Sequence, residues 1–363
     1  MAPVATFLSF RLGGADGVAV EARKWAWALD QLGFDVRRVA GAIEDDGGPN
    51  DVVLPWLALD SAEEPGDTAP LAAALARSDL VVVENMCSLP INAGAARVVA
   101  RALERFPGRV VFHHHDLPWQ RRTFVSFANE FPPRIRGALH VTVNLRSRRE
   151  LEARGYSPVV AIQNRFDLDA APGARDATRA QLGFAPDELV VLQPSRAIER
   201  KNVPGGVRFA TELARHRPEQ RVHYWLSGPA EDGYAPTLER VLERATVPVT
   251  LGRATTSIDA YAASDVVVLP STWEGFGNPT IESIVARRPL AAFSYPVLAE
   301  ILATGVRFFS TSDPVTVARF LRESGEVRDR YFDVNLRRAR LSYALTELPA
   351  DLADLFEKVE WRW

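Results

Sequence analysis

Short apolar runs alternate with helical stretches along the whole chain, and that alternation admits little besides an α/β fold with parallel sheets. In the first half, residues 4–10, 36–40, 80–83, 110–112 and 141–143 read as strands, with residues 1–10 as the opening strand region. Residues 20–32, 93–105 and 146–154 read as helices. A second strand series begins at Leu189–Gln193 and continues through Val222–Leu226, Val249–Leu251 and Val266–Leu269. Residues 169–175, rich in Ala, Pro and Gly, separate the series and read as a linker. A chain of 363 residues exceeds what one core usually supports. The expected organisation is therefore α/β, with two Rossmann-like domains facing each other across a cleft: residues 1–168, residues 176–330, and a helical tail over 331–363. Open parallel sheets bind ligands beyond the carboxyl ends of their strands. Residues 45–70 read as an irregular excursion, and the closing Trp361-Arg362-Trp363 reads as a docked terminus.

Charge excludes one class of partner. The formal net charge of −3 argues against a dedicated nucleic-acid binder. Its distribution is uneven: residues 1–96 carry 6 basic and 14 acidic side chains, whereas residues 97–165 carry 13 basic and 5 acidic ones. That basic stretch suits either a solvated surface, an anionic acceptor or an anionic membrane face. No apolar run reaches the ~18 residues of a bilayer span, and the N-terminus lacks a signal-peptide pattern. The single cysteine, Cys87, fits a reducing compartment. The expected location is the cytoplasm, with peripheral contact at the inner membrane face as an option.

The densest chemistry lies at Glu274-Gly275-Phe276-Gly277-Asn278-Pro279-Thr280-Ile281-Glu282. It follows a buried strand, and Asn278-Pro279 suits a helix start with Asn278 as cap. Gly275 and Gly277 allow a sharp turn and close approach to a ligand. A helix start near Thr280 presents backbone N–H groups to a phosphate. Glu274 and Glu282 can accept hydrogen bonds from hydroxyls of a sugar and a ribose. The alternative is a helix whose first-turn Glu merely complements its dipole.

Three further segments bear on this. After Leu189–Gln193 comes Pro-Ser-Arg-Ala-Ile-Glu-Arg-Lys-Asn, placing Arg196 and Lys201 at a loop beyond a strand end. Arg offers a bidentate fork to phosphate, Lys a point charge, and only three of the 43 basic residues are lysines. His113-His114-His115-Asp116 follows another strand; adjacent side chains alternate faces, so three histidines are not expected to converge on a metal. A His–Asp pair for hydrogen bonding a sugar or an acceptor is the better reading. The loop Arg11-Leu12-Gly13-Gly14-Ala15-Asp16-Gly17 is glycine-rich but lacks the dinucleotide pattern, because Leu12 takes the place of its first glycine. Asp167-Leu168-Asp169 imitates a metal-binding Asp-x-Asp but sits at the linker and reads as a turn.

Together these segments resemble glycosyltransferase family 4 (glycosyl transferases group 1), retaining enzymes of the GT-B architecture, over roughly 300 residues. The order matches: a glycine-rich first loop, His-Asp after a mid-domain strand, Val160…Asn164…Asp167 before the linker, Arg196…Lys201, and Glu274…Glu282. The resemblance implies that Arg196 and Lys201 neutralise a donor diphosphate. It implies that Glu274 holds the transferred sugar and Glu282 the ribose, with Gly275, Phe276, Gly277, Asn278 and Thr280 completing the donor site. His115 and Asp116, with His114 as alternative, would lie near the sugar and acceptor. Gly13 and Gly14 would approach the diphosphate. It implies no cofactor and no metal, and a last helix returning to the first domain. Ser195 and Asn278 depart from the residues usual in this family, the second near the nucleotide.

The expected activity is transfer of a hexose from a nucleotide-diphosphate sugar, UDP-linked or else GDP-linked, to a hydroxyl of a small-molecule, glycan or lipid-linked acceptor. The alternatives are a nucleotide-sugar epimerase or hydrolase of the same fold, and a non-catalytic nucleotide-sugar-binding protein.

Overall fold

The computed structural model describes residues 2–61 and 68–363. Met1 and residues 62–67, the latter within the expected irregular excursion, lie outside the described residues. The chain forms two compact units: Met1–Arg165 with Leu345–Trp363, and Phe166–Ala344.

The first unit runs β1 (Val4–Leu12), α1 (Gly17–Gln31), β2 (Asp35–Ile43), β3 (Val52–Val53), α2 (Ala69–Leu75), β4 (Leu80–Glu84), α3 (Ala93–Glu104), β5 (Arg109–His114), β6 (Leu139–Thr142), α4 (Leu145–Ala153) and β7 (Val159–Ala161). Its strands are parallel in the order β3-β2-β1-β4-β5-β6-β7. The second unit runs α5 (Arg175–Leu182), β8 (Leu189–Gln193), α6 (Val203–His216), β9 (Val222–Leu226), α7 (Ala235–Glu243), β10 (Val249–Leu251), α8 (Ser257–Ala263), β11 (Val266–Leu269), α9 (Pro279–Val285), β12 (Leu290–Ala292), α10 (Leu298–Leu302), β13 (Phe309–Ser310), α11 (Pro314–Phe320) and α12 (Gly325–Tyr343). Its parallel sheet has the order β10-β9-β8-β11-β12-β13. The chain then returns to the first unit as α13 (Leu348–Lys358). Both sheets reverse direction beside their first strand, between β1 and β4 and between β8 and β11. Those switch points are where such sheets bind ligands.

Alternation of side chains lets each strand of the first unit feed two cores. On one face Phe7, Val82, Val111 and Val141 pack under Trp25 and Leu29 of α1 and Leu352 and Phe356 of α13. On the other, Leu8, Val81, Val83 and Phe112 meet Leu71 of α2 and Val99 and Leu103 of α3. The apolar face of α13 is thus part of the first core. Trp361 stacks on Phe356 at 5.9 Å, and Trp363 meets Phe34 edge-on at 4.9 Å.

The observed boundaries differ from the expected ones for identifiable reasons. Phe166 already belongs to the second unit, where its N–H donates to the Tyr343 carbonyl at 2.8 Å and its ring stacks on Phe276 at 5.9 Å. Helix α12, expected in the returning tail, stays with the second unit through Arg287 bonds to Asp329 and Asp333 at 2.8 and 2.7 Å. The stretch expected to be irregular contains β3, a 3₁₀ turn over Pro55–Leu57 and the start of α2. Asp167-Leu168-Asp169 is a turn, closed by the Asp169 N–H to Asp167 Oδ1 at 3.0 Å and held by Arg340.

Candidate active site

The switch point of the second unit brings the sequence-predicted charges together. The loop after β8 carries Arg196 and Lys201, and the loop after β11 carries Glu274. Three bonds tie these loops together. The Thr272 N–H donates to the Arg200 carbonyl at 2.9 Å, Arg200 Nη1 to the Trp273 carbonyl at 3.0 Å, and Asn202 Nδ2 to the Pro270 carbonyl at 3.1 Å. Asn202 adopts a left-handed conformation (φ 50°) and its side chain caps α6 through the Gly205 N–H.

Glu274, only 5% exposed, accepts from Lys201 Nζ at 2.6 and 2.8 Å and from Arg200 Nη1 at 3.2 Å. Burial opposes its charge, but Lys201 and Arg200 outweigh burial and hold the carboxyl at about 2. Burial pushes the Lys201 ammonium down to about 8, against the pull of Glu274 and with help from Arg200 and Arg196. Arg196 donates to Glu231 Oε2 at 2.6 Å. Both basic residues therefore rest on carboxylates. Glu282, in the first turn of α9, accepts from the buried Tyr261 hydroxyl at 2.6 Å.

The Glu274–Glu282 loop is rigidly packed. Gly277 has φ 99°, and a Cβ there would meet the Tyr295 hydroxyl at 2.3 Å. That hydroxyl donates to the Phe276 carbonyl at 3.0 Å. Phe276 is buried between Phe166 and Tyr343, so its ring anchors the loop. Two details at the helix start differ from expectation. Asn278 is already helical (φ −44°, ψ −37°), so its side chain makes no cap bond. The amides of Thr280, Ile281 and Glu282 already donate to the Gly277 and Asn278 carbonyls, at 2.9 to 3.0 Å, and the Thr280 hydroxyl donates to Gly277 at 2.8 Å. The early helical turn consumes the N–H groups that the sequence suggested for phosphate near Thr280. Gly275 lies half-buried in the same loop.

In the first unit, the ends of β4 and β5 hold the histidine run. His114 points to one face, where Nδ1 bonds Ser88 Oγ at 2.5 Å and Nε2 bonds His140 Nδ1 at 2.9 Å. Its neighbours His113 and His115, two positions apart, share the other face. There His113 Nδ1 lies 3.0 Å from both oxygens of Glu84, and His115 Nε2 lies 2.9 Å from Glu84 Oε2. Alternation thus separates three adjacent rings but gathers two of them on one carboxylate. These three groups have donor atoms within 4.8 Å of one another, a spacing a cation could also use. Two neutral rings, each giving one N–H, satisfy the same distances as ordinary hydrogen bonds. Burial pushes Glu84 up, but the two histidines outweigh it and bring the carboxyl to about 2. Asn85, at φ 59°, accepts from the His115 and Asp116 N–H groups at 3.0 and 3.1 Å. Asp116 pairs with Arg121 at 3.3 Å.

The Gly13–Gly14 loop lies against acidic side chains. A Cβ on Gly14 would meet Glu44 Oε2 at 2.2 Å, and one on Gly13 the Asp45 side chain at 2.7 Å. Arg38 holds Asp45 below its usual range, so that carboxylate is charged. Arg23 Nη1 takes the Gly14 carbonyl at 2.6 Å.

Sequence reasoning missed Glu84, Asn85, Arg200, Glu231 and Tyr261. Glu84 carried a readable signal: it is a lone carboxylate closing the apolar run Leu80–Glu84, at the strand end beside the switch point. The others reveal themselves only through contacts made by folding.

Two Rossmann-like units, each a parallel sheet with its own switch point, give the fold seen in GT-B glycosyltransferases such as Anabaena HepE. Residues 190–323, which include Arg196, Lys201, Glu274 and Glu282, match the family described as Glycosyl transferases group 1. The chain is 27% identical to mannosylglucosylglycerate synthase of Thermotoga maritima, across 88% of this chain and 86% of that enzyme. It is 34% identical to D-inositol 3-phosphate glycosyltransferase 2 of Catenulispora acidiphila, across 38% of this chain and 35% of that enzyme. Among solved structures, Anabaena HepE in complex with UDP-glucose superposes with a TM-score of 0.73 at 19% identity, covering 98% of this chain and 99% of HepE. Among the described residues, no helix is long and apolar enough to cross a membrane.

Proposed function

We propose that this enzyme transfers a hexose, with retention of anomeric configuration and without a metal, from a UDP-linked donor to an acceptor hydroxyl. The observation that carries the reading is the convergence of Lys201, Arg200 and Glu274, with Arg196 near enough to depress Lys201, at the switch point of the second sheet. Arg196 and Lys201 supply the positive charge that a departing diphosphate needs. Glu274 accepts from hydroxyls of the transferred sugar, and Glu282 from the ribose. The backbone of Gly275, Gly277 and Asn278 borders the same space, with Thr280 and Phe276 holding the loop in shape. In the first unit His115 and Asp116 bind sugar or acceptor hydroxyls, and the Gly13–Gly14 loop, which lies against Glu44 and Asp45, approaches the diphosphate. As the C1–O bond to phosphate breaks and the acceptor oxygen bonds C1, the phosphate oxygen takes the acceptor proton. The HepE complex supports a UDP-sugar donor, and the Thermotoga relative supports a sugar-type acceptor.

The test is thermal unfolding against UDP, GDP, ADP and TDP, each with and without EDTA, followed by turnover of UDP-glucose and anomer analysis by NMR. A ligand at a hundred times its dissociation constant stabilises by ~2.7 kcal/mol. The expected result is a UDP shift that EDTA leaves intact and Glu282→Ala abolishes, with an α-linked product. No shift with any nucleotide would sink the donor assignment. Strict dependence on a divalent ion would overturn the metal-free reading.

A further inference from the structure

The mechanism just described leaves one buried charge without a task. Glu84 is wholly buried at the carboxyl end of β4, beside the switch point of the first sheet. Its bonded neighbours are His113 and His115. We propose that Glu84 is a positioning residue for the transfer reaction: it keeps the proton of His115 on Nε2, so that Nδ1 faces the substrate as a hydrogen-bond acceptor for a sugar hydroxyl.

The geometry leads there in three steps. An ionised carboxylate only accepts, so each ring nitrogen bonded to Glu84 must carry a hydrogen in either protonation state of its ring. The 3.0 Å bonds from His113 Nδ1 and the 2.9 Å bond from His115 Nε2 therefore fix both tautomers. Second, the ring of His113 is spent. It stacks on Trp25 at 4.2 Å, and its other nitrogen, Nε2, is buried with no hydrogen-bond partner. Such a nitrogen stays a bare lone pair, because protonating it would bury an unpaired charge. Burial accordingly lowers the His113 pKa. Third, His115 differs. Its side chain keeps 11% exposure while Glu84 has none, and its Nε2 edge is the one turned to Glu84. With Nε2 taken by Glu84, Nδ1 is the ring nitrogen that remains for a ligand.

The charged groups around His115 are consistent with this. Glu84 on β4, Glu21 on α1 and Asp116 on its own loop all favour its imidazolium, against burial, and the net shift is upward. Lys24 bonds Glu21 at 2.7 Å and Arg121 pairs with Asp116, which moderates both carboxylates. Nδ1 is thus the atom that titrates, a lone-pair acceptor above the raised pKa and a donor below it. A sugar hydroxyl can meet either form, but only the first leaves that hydroxyl free to donate to it.

The inference rests on the proposed transfer for its role, while its structural half can be read without turnover. The full chain, labelled with ¹⁵N-histidine, gives ring-nitrogen signals, and His115→Asn assigns those of His115. The expected wild-type spectrum has His115 Nε2 protonated throughout a pH titration and Nδ1 bare at its alkaline end. Glu84→Gln replaces two acceptors with one acceptor and one donor; where the amide nitrogen takes the Oε2 position that His115 Nε2 meets, that ring must move its proton to Nδ1. The expected result in that variant is Nδ1–H on His115, a fall in kcat with UDP-glucose on the order of 10²-fold, and an unchanged UDP thermal shift. Glu84→Asp, which keeps the carboxylate, restores the tautomer and part of the rate. A wild-type His115 with bare Nε2 overturns the proposal, and so does Glu84→Gln with unaltered His115 signals, whatever its rate. Should Glu84→Gln not fold, the wild-type and Glu84→Asp spectra still decide. Absence of transfer from any nucleotide sugar by the wild type would instead refute the proposed function, leaving the tautomer result to stand or fall separately.

Discussion

Replacing Lys201 by Met would remove the charge that keeps Glu274 ionised while preserving most of the side-chain volume. Glu274 and Lys201 have side chains only 7% and 13% exposed, and two Nζ–O contacts of 2.6 and 2.8 Å join them. Stranding one member of a buried pair costs ~3–5 kcal/mol. Arg200 remains at 3.2 Å, so the lower end is expected, about 3 kcal/mol. The pH dependence has a definite sign. A depressed carboxyl contributes stability that is full above 4.5 and lost as pH falls toward 2. In Lys201→Met the Glu274 pKa rises, so the gap between wild type and variant is widest near neutrality and narrows in acid. The assay is urea unfolding with hydrogen exchange of β8 and β11 peptides, which assigns the change to the second unit. Lys201→Met/Glu274→Leu should recover about 2 kcal/mol relative to the sum of the single changes, because neither charge is then stranded. Additivity within ~0.5 kcal/mol would refute the idea that the pair is energetically coupled.

Glu274→Gln removes the carboxylate that competes with phosphate for Lys201. UDP alone should therefore bind several-fold tighter while UDP-glucose turnover falls, and calorimetry showing weaker UDP binding would contradict the exchange. His140 is held down to about 4 by burial and by Arg134. A depressed histidine gives stability that is full above ~6.5 and lost as pH falls toward 4, by up to ~3 kcal/mol; His140→Asn should flatten that part of the first unit's melting curve against pH. Gly277→Ala should destabilise by ~2 kcal/mol through its positive φ and the Tyr295 clash. Pairing it with Tyr295→Phe should relieve only the clash, and full recovery in thermal melts would show that the backbone there is unstrained.

The central strands were legible because buried parallel strands are continuous apolar runs. Leu189–Gln193, Val222–Leu226, Val249–Leu251 and Val266–Leu269 agree residue for residue with the observed strands. β3 and β13 were not, since two residues at a sheet edge carry no pattern. In the site, Arg196, Lys201, Glu274 and Glu282 could be read because each stands at a strand end or helix start, where local pattern fixes position. Their partners could not. Glu231 reaches Arg196 across 35 residues, and Glu274 reaches Lys201 across 73. The expected cap at Asn278 failed for a local reason: a residue already helical cannot place its side chain over the first turn.

The two switch points answer the same electrostatic problem in different ways. Each buries a carboxylate at about 2 beside the first strand's neighbour, Glu84 in the first unit and Glu274 in the second. Glu84 is held by N–H groups of two short histidine rings, one of them stacked on Trp25, so the charge is fixed and its effect is directional: it decides which nitrogen carries a proton. Glu274 is balanced by Lys201 and Arg200, whose long side chains can be drawn away by a stronger anion. With Arg196 resting on Glu231, the positive and negative side chains at this switch point are paired, so no buried charge is left without a partner. In the proposed reaction a diphosphate replaces carboxylates as the partner of Arg196 and Lys201, and in doing so frees Glu274 to accept from hydroxyls. Binding the leaving group and presenting the sugar-binding carboxylate then become one step. On that proposal, a site prefilled with its own carboxylates is stable without donor and selects ligands that bring both a diphosphate and hydroxyls.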